Sequence, residues 1–293
     1  MAKRALVLSG GGRKGAYQVG VLKRWLLEEG RNYDILCGIS VGALNIAAMA
    51  QAPLGDPKAA YEKLAHIWDR VENAKIRKFW LFWYLAVLWR PSVYDSTPLQ
   101  KWVKQELDLE AIQASGRELR VGAVSWETGN YKLVDQNNPK LADWVCASAS
   151  FPVFLKPVLI DGEEWMDGGI REVTPLGDAI RLGADEIDVI MTSNPDRPSH
   201  WNATGANALK RAFRAIDLMS DEVMRGDIRE CGLKNDLAER GAAYRIVKIR
   251  IQQPSRPLDE NSLDFNPDLV KIERELGYSD SASASASASV SAR

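Results

Sequence analysis

The stretch Asp34-Ile35-Leu36-Cys37-Gly38-Ile39-Ser40-Val41-Gly42 runs from an apolar segment into a small-residue one, residues 41–51, with a serine at the junction. That order reads as strand, sharp turn, helix. Glycines two residues on either side of Ser40 permit a backbone that larger side chains would crowd. A hydroxyl held there stands in the open at the positive end of a helix, where a nucleophile is useful. The same residues also fit a glycine-rich turn whose serine does no more than cap a helix.

Upstream, residues 5–9 read as a first buried strand, closed by Gly10-Gly11-Gly12-Arg13-Lys14-Gly15. A helix follows over residues 16–29, with Val19, Leu22 and Leu26 on one face and Gly30 as its stop. The glycine loop satisfies G-x-G-x-x-G, and Asp34 lies near the offset of a ribose-binding acid, so a dinucleotide turn is one reading. An oxyanion hole is another: consecutive glycine N–H groups at a helix N-terminus face a developing negative oxygen. Lys14 is a long cation that a dinucleotide turn does not need, and the next strand–turn–helix carries a serine instead of a ribose site. A plain tight turn is the third reading.

Further along, helices are expected at 59–71 and 97–107. Strands at 118–126 and 131–134 are joined by the hairpin turn Glu127-Thr128-Gly129-Asn130, and two short strands flank Asp161-Gly162 within 158–166. Thr174-Pro175 opens a helix that Gly183 stops. A strand at 186–192, an amphipathic helix at 207–224, a strand at 244–251 and a helix at 268–276 complete the order. Strands alternating with helices indicate an α/β fold, a three-layer sandwich with a central mostly parallel sheet. No repeat or linker divides residues 1–278, which read as one domain. The alternating Ser/Ala tail, 279–293, lacks core-forming side chains and is expected to be disordered.

The chain has 293 residues, 46% of them hydrophobic, with a net charge of -1. Nothing in that balance points to nucleic acid as a partner. Cys37, Cys146 and Cys231 are odd in number and widely spaced, so neither a disulfide framework nor a zinc ribbon is indicated. A reducing, cytoplasmic interior suits this usage. Ala5-Leu6-Val7-Leu8 is too short for a signal peptide, and no 18-residue apolar run exists to span a membrane. One oddity is Phe79-Trp80-Leu81-Phe82-Trp83-Tyr84-Leu85-Ala86-Val87-Leu88-Trp89. It fits an interfacial segment touching lipid, or the wall of an acyl pocket, or a buried core helix.

A nucleophilic Ser40 needs a proton acceptor, and the chain has two histidines. His66 falls beside the apolar face of the 59–71 helix. His200 lies in a loop and follows the serine in the order of an α/β-hydrolase triad. Asp167, in Trp165-Met166-Asp167-Gly168-Gly169, is the other candidate. A partly desolvated carboxylate there would have a raised pKa and be a better base. An Asp-Gly turn is its plain structural reading.

Gly10-Gly11-Gly12-Arg13-Lys14-Gly15, Gly38-Ile39-Ser40-Val41-Gly42 and Asp167-Gly168-Gly169 occur in the order found in patatin-like phospholipases, and residues 3–280 resemble that family. Ala149-Ser150-Phe151-Pro152 and residues 153–158 resemble its segment before the aspartate. The resemblance implies a lipid acyl hydrolase with a Ser40–Asp167 dyad and no metal or nucleotide cofactor. It places the backbone of Gly10, Gly11, Gly12 and Arg13 around the oxyanion, with Lys14, Gly15, Gly38, Gly42, Gly168 and Gly169 supporting the motifs. Glu172-Val173 departs from the family, where asparagine commonly follows the Asp-Gly-Gly. The implied substrate is a lipid or a membrane surface, met through peripheral contact. An acyl thioesterase, another serine hydrolase, or a non-catalytic anion- or nucleotide-binding module on residues 10–15 are the alternatives.

Overall fold

The computed structural model describes residues 2–79, 92–194, 204, 208–240, 246–258 and 261–283. Its strands are β1 (Arg4–Leu8), β2 (Ile35–Gly38), β3 (Lys78–Phe79), β4 (Tyr94–Asp95), β5 (Glu118–Ser125), β6 (Tyr131–Asp135), β7 (Val158–Ile160), β8 (Glu163–Asp167), β9 (Glu186–Ile190) and β10 (Lys248–Gln252). Its helices are α1 (Gly15–Leu27), α2 (Val41–Met49), α3 (Pro57–Asp69), α4 (Asn73–Ile76), α5 (Thr97–Glu106), α6 (Leu109–Ala114), α7 (Leu141–Ser148), α8 (Leu176–Arg181), α9 (Ala208–Glu239) and α10 (Pro267–Ser283).

The main sheet has the order β10-β9-β1-β2-β5-β8-β7, with β6 paired to β5. From β10 to β5 every pairing is parallel. The pairings of β6, β8 and β7 are antiparallel. The sheet is thus mixed, with a parallel half that carries the βα crossovers and an antiparallel half built from hairpins. Alternation along the central strands divides the core. Leu6, Leu8 and Leu36 face one apolar cluster with residues of α1, α2 and α3. Ala5, Val7, Ile35 and Cys37 face a second cluster with Leu176 and Ala179 of α8. Burial on both faces is why these strands read as continuous apolar runs.

Two helices are longer than their periodicity suggested. α9 continues to Glu239, past the expected stop at 224. α10 continues to Ser283, so the first residues of the Ser/Ala tail are helical. Two tertiary contacts hold them there: Ser281 is buried, and the Asp280 carboxylate accepts a hydrogen bond from the Ser255 N–H at 2.8 Å. Residues 284–293 lie outside the described residues. So do residues 80–91, and with them nearly all of the aromatic stretch.

α10 packs tightly on α1, because a Cβ on Gly20 would meet the Arg274 carbonyl and one on Gly277 the Tyr17 carbonyl. The docking also closes a buried ion pair. Arg13, fully buried in the glycine loop, donates to Glu273 of α10 at 2.9 Å. Glu273→Ala strips the carboxylate from a guanidinium that has no route to water. The expected cost is about 3–5 kcal/mol of unfolding free energy, read from urea denaturation. A loss below about 1 kcal/mol, the scale of a surface pair, would show that the pair does not anchor α10.

Candidate active site

Strand β5 pairs on both edges. Arg120 faces Cys37 of β2 and Asp135 of β6, while Ala123 faces Asp167 of β8 and Lys132 of β6. β6 therefore holds one edge, and β2 and β8 share the other, end to end. β2 stops at Gly38, opposite Val121, and the antiparallel β8 stops at Asp167, opposite Ala123. The residue after each strand emerges into the same gap beside Gly122. The gap is narrow: a Cβ on Gly168 would lie 2.6 Å from the Gly122 carbonyl oxygen.

Ser40 sits at this junction as the N-cap of α2, with φ 56° and ψ −126°. A non-glycine residue at positive φ stores roughly 1–3 kcal/mol of strain, and such residues cluster at functional sites. The turn is held by a Gly42 N–H bond to the Ile39 carbonyl at 2.8 Å. Gly42 admits nothing larger, because a Cβ there would meet the Leu8 carbonyl of β1. The Ser40 N–H donates to Ser148 Oγ at 3.0 Å. Ser148, buried at the end of α7, is a supporting residue that no sequence motif marks.

Asp167 is 2% exposed. Its Oδ1 accepts a hydrogen bond from the Gly169 N–H at 2.8 Å, and its backbone N–H donates to the Ser150 carbonyl. Oδ2 is buried without a full hydrogen bond among the described residues. Burial pushes the carboxyl pKa up to about 7, against the opposing pull of the Ser40 hydroxyl and the Gly169 N–H. The Ser40 hydroxyl thus interacts with the carboxyl but falls short of full hydrogen-bond geometry. Glu172, at the position where the sequence departs from the expected asparagine, has its carboxyl pKa raised by burial, against the pull of Arg181 and the Tyr131 hydroxyl.

The glycine loop lies against the same junction, and a Cβ on Gly10 would come 3.2 Å from the Ser40 Cβ. Of the four backbone N–H groups expected around an oxyanion, two are already engaged. Gly10 donates to the Val173 carbonyl at 3.4 Å and Arg13 to the Ser262 carbonyl at 2.7 Å. The N–H groups of Gly11 and Gly12 have no partner among the described residues. The dinucleotide reading fails on geometry. The Asp34 carboxylate accepts from the Arg4 N–H at the start of β2, the opposite end of the strand from the glycine loop and Ser40.

Ser40, Asp167, Gly11, Gly12 and Lys14 line one cavity of about 350 Å³, whose remaining wall is largely apolar and includes Leu44, Phe151 and Leu155. His66 is not on that wall. Its side chain is 59% exposed, next to Arg70 and Glu106. His200 lies outside the described residues.

The family model "Patatin-like phospholipase" matches residues 6–180, a span that holds both Ser40 and Asp167. Uncharacterized protein YjjU of Escherichia coli (strain K12) is 26% identical over 196 residues, 64% of this chain and 51% of that protein. The chain therefore spans about half the length of this curated relative. Among solved structures, VipD from Legionella pneumophila is 12% identical with a TM-score of 0.42, covering 97% of this chain and 66% of that one. The type III effector protein ExoU is 14% identical with a TM-score of 0.41, covering 97% and 53%. With the family match extending over more than half of its length, this chain belongs to the patatin-like phospholipase family.

Proposed function

We propose that the protein hydrolyses acyl esters of phospholipids or related lipids through an acyl-enzyme on Ser40. Asp167 is the base. Ser40 Oγ attacks the acyl carbonyl carbon while its proton passes to the Asp167 carboxylate. The carbonyl oxygen takes up negative charge facing the N–H groups of Gly11 and Gly12 and the positive end of the following helix. Collapse breaks the ester bond, and the leaving alkoxide takes the proton from Asp167. Water then attacks the acyl-Ser40 ester with Asp167 again as base, releasing the fatty acid and restoring the serine.

The observation that carries this reading is a dry carboxyl with a pKa near 7 beside a strained, cavity-facing serine. A base is most useful when its pKa lies near the working pH. The substrate reading is supported by the apolar wall around the two groups. No described helix is long and apolar enough to cross a membrane. The protein would meet its substrate at the lipid surface, through the apolar rim of the cavity and the aromatic stretch at residues 79–89. Trp126, Val153 and Ile170 are exposed apolar residues on or beside that rim.

A serine-reactive fluorophosphonate is expected to label the protein at Ser40 and to leave Ser40→Ala unlabelled. An unlabelled wild type that binds nucleotide would support the non-catalytic module instead. Parallel assays with thioesters separate a thioesterase. The kcat/KM for an ester substrate should rise with pH through about 7, as Asp167 loses its proton. A profile flat from pH 6 to 8 contradicts the base assignment. Asp167→Asn should lower turnover about 10²–10⁴-fold.

The same titration acts oppositely on stability. The folded pKa lies above the unfolded value, so the native state holds a proton that the unfolded chain gives up between pH about 4 and 7. Stability is lost as pH rises across that window. Asp167→Asn removes the penalty, so its melting temperature should exceed that of wild type by a margin that grows from pH 5 to pH 8. Calorimetric scans at the two pH values check this, and a margin independent of pH would rule out a desolvated, titrating Asp167.

A further inference from the structure

A second, smaller chamber adjoins the catalytic cavity. Val41, Leu44, Ile76 and Phe265 belong to the walls of both. Beyond them the chamber is bounded mainly by Ile67, Trp68, Val71, Trp102, Val103 and Leu107, and it encloses about 40 Å³. It lies among α2, α3, α4 and α5. Val71, Trp68 and Val103 on its wall are all buried.

The polar groups on its wall are turned toward one another. Trp68 Nε1 donates to Asn45 Oδ1 at 2.7 Å, and Asn45 Nδ2 donates to Gln18 Oε1 at 2.9 Å. Trp102 Nε1 donates to Glu106 Oε1 at 3.0 Å, and Glu106 is also paired with Arg70. With those donors and acceptors satisfied, the chamber presents indole faces and aliphatic side chains. A water needs two to four polar partners to be held, so a lining of this kind favours apolar occupants. Phe265, which packs on Trp68 with ring centroids 6.3 Å apart, lines both chamber and cavity.

We propose that this chamber receives the methyl end of the substrate's acyl chain and sets the longest chain the enzyme accepts well. The proposal rests on the reading of the Ser40 cavity as an acyl-ester site. Four shared wall residues set the chamber directly against that cavity, and its apolar lining fits a hydrocarbon tail and excludes a headgroup. At roughly 10–15 Å³ for one probe sphere, its volume admits only the last few carbons. Each methylene seated there is expected to raise kcat/KM about fourfold, equivalent to about 0.8 kcal/mol.

The test is the chain-length profile of kcat/KM for p-nitrophenyl esters from four to eighteen carbons, measured on the full chain. Val71 lines the chamber and not the catalytic cavity. Val71→Phe fills the chamber and should move the plateau to shorter chains, lowering the long-to-short ratio at least tenfold. Val71→Ala enlarges it and should shift the plateau the other way, by one or two carbons, without any demand for overpacking. A profile unmoved in either folded variant would make the chamber a packing void and overturn the proposal. Hydrolysis of no ester at all, with no labelling of Ser40, would instead overturn the acyl-ester reading itself. Activity on short esters with unmoved profiles defeats the chamber alone.

Discussion

One edge of β5 is shared by two strands that never touch it at the same residue. β2 takes it as far as Val121, and β8 takes it from Ala123 onward in the opposite direction. Backbone hydrogen bonding, which no sheet can leave unmade cheaply, thus forces two distant chain ends into one gap. Ser40 and Asp167 lie 127 positions apart in the chain (167 − 40) and meet because of that constraint. Gly168 must be bare because the Gly122 carbonyl and the Ile39 side chain already fill the space, and Gly122 because Ile39 and the Tyr131 ring of β6 do.

The junction is expensive to fold. Ser40 is held at positive φ, and Asp167 keeps a carboxyl away from water with one oxygen without a full hydrogen bond. Both costs fall on residues that a purely stabilising sequence would replace. They are borne by a core packed on both sheet faces, and local strain of this kind persists only where the surroundings over-determine it. Burial alone pushes the Asp167 pKa up to about 7. In water at neutral pH the same side chain would be fully ionised.

The sequence was most legible where a signal is local. Apolar runs closed by glycines located β1, β2 and their helices to within a residue or two, and the hairpin turn at residues 127–130 located β5 and β6. Three glycine motifs located the serine, the loop and the aspartate. What could not be read came from segments far along the chain. Ser148 reaches Ser40 from α7, and the Ser262 carbonyl occupies the Arg13 N–H that the loop motif alone would assign to an oxyanion. The length of α10 was likewise hidden, because Ser and Ala at 281–283 carry no periodic apolar signal and are kept helical by tertiary contacts. The small chamber has no motif at all, being assembled from α2, α3, α4, α5 and Phe265.

The span matched by the family model ends at residue 180, yet the architecture does not end there. β9, which lies beyond that point, covers the outer edge of β1, and Glu273 neutralises Arg13 from still farther along. A polypeptide cut at the end of that span would expose a parallel strand edge and leave a guanidinium in the core without its carboxylate. The span that the family model matches is therefore not by itself a unit of folding in this chain. The part of the chain after residue 180 supplies the strand beside β1 and the carboxylate beside Arg13, and so helps to hold the glycine loop in place.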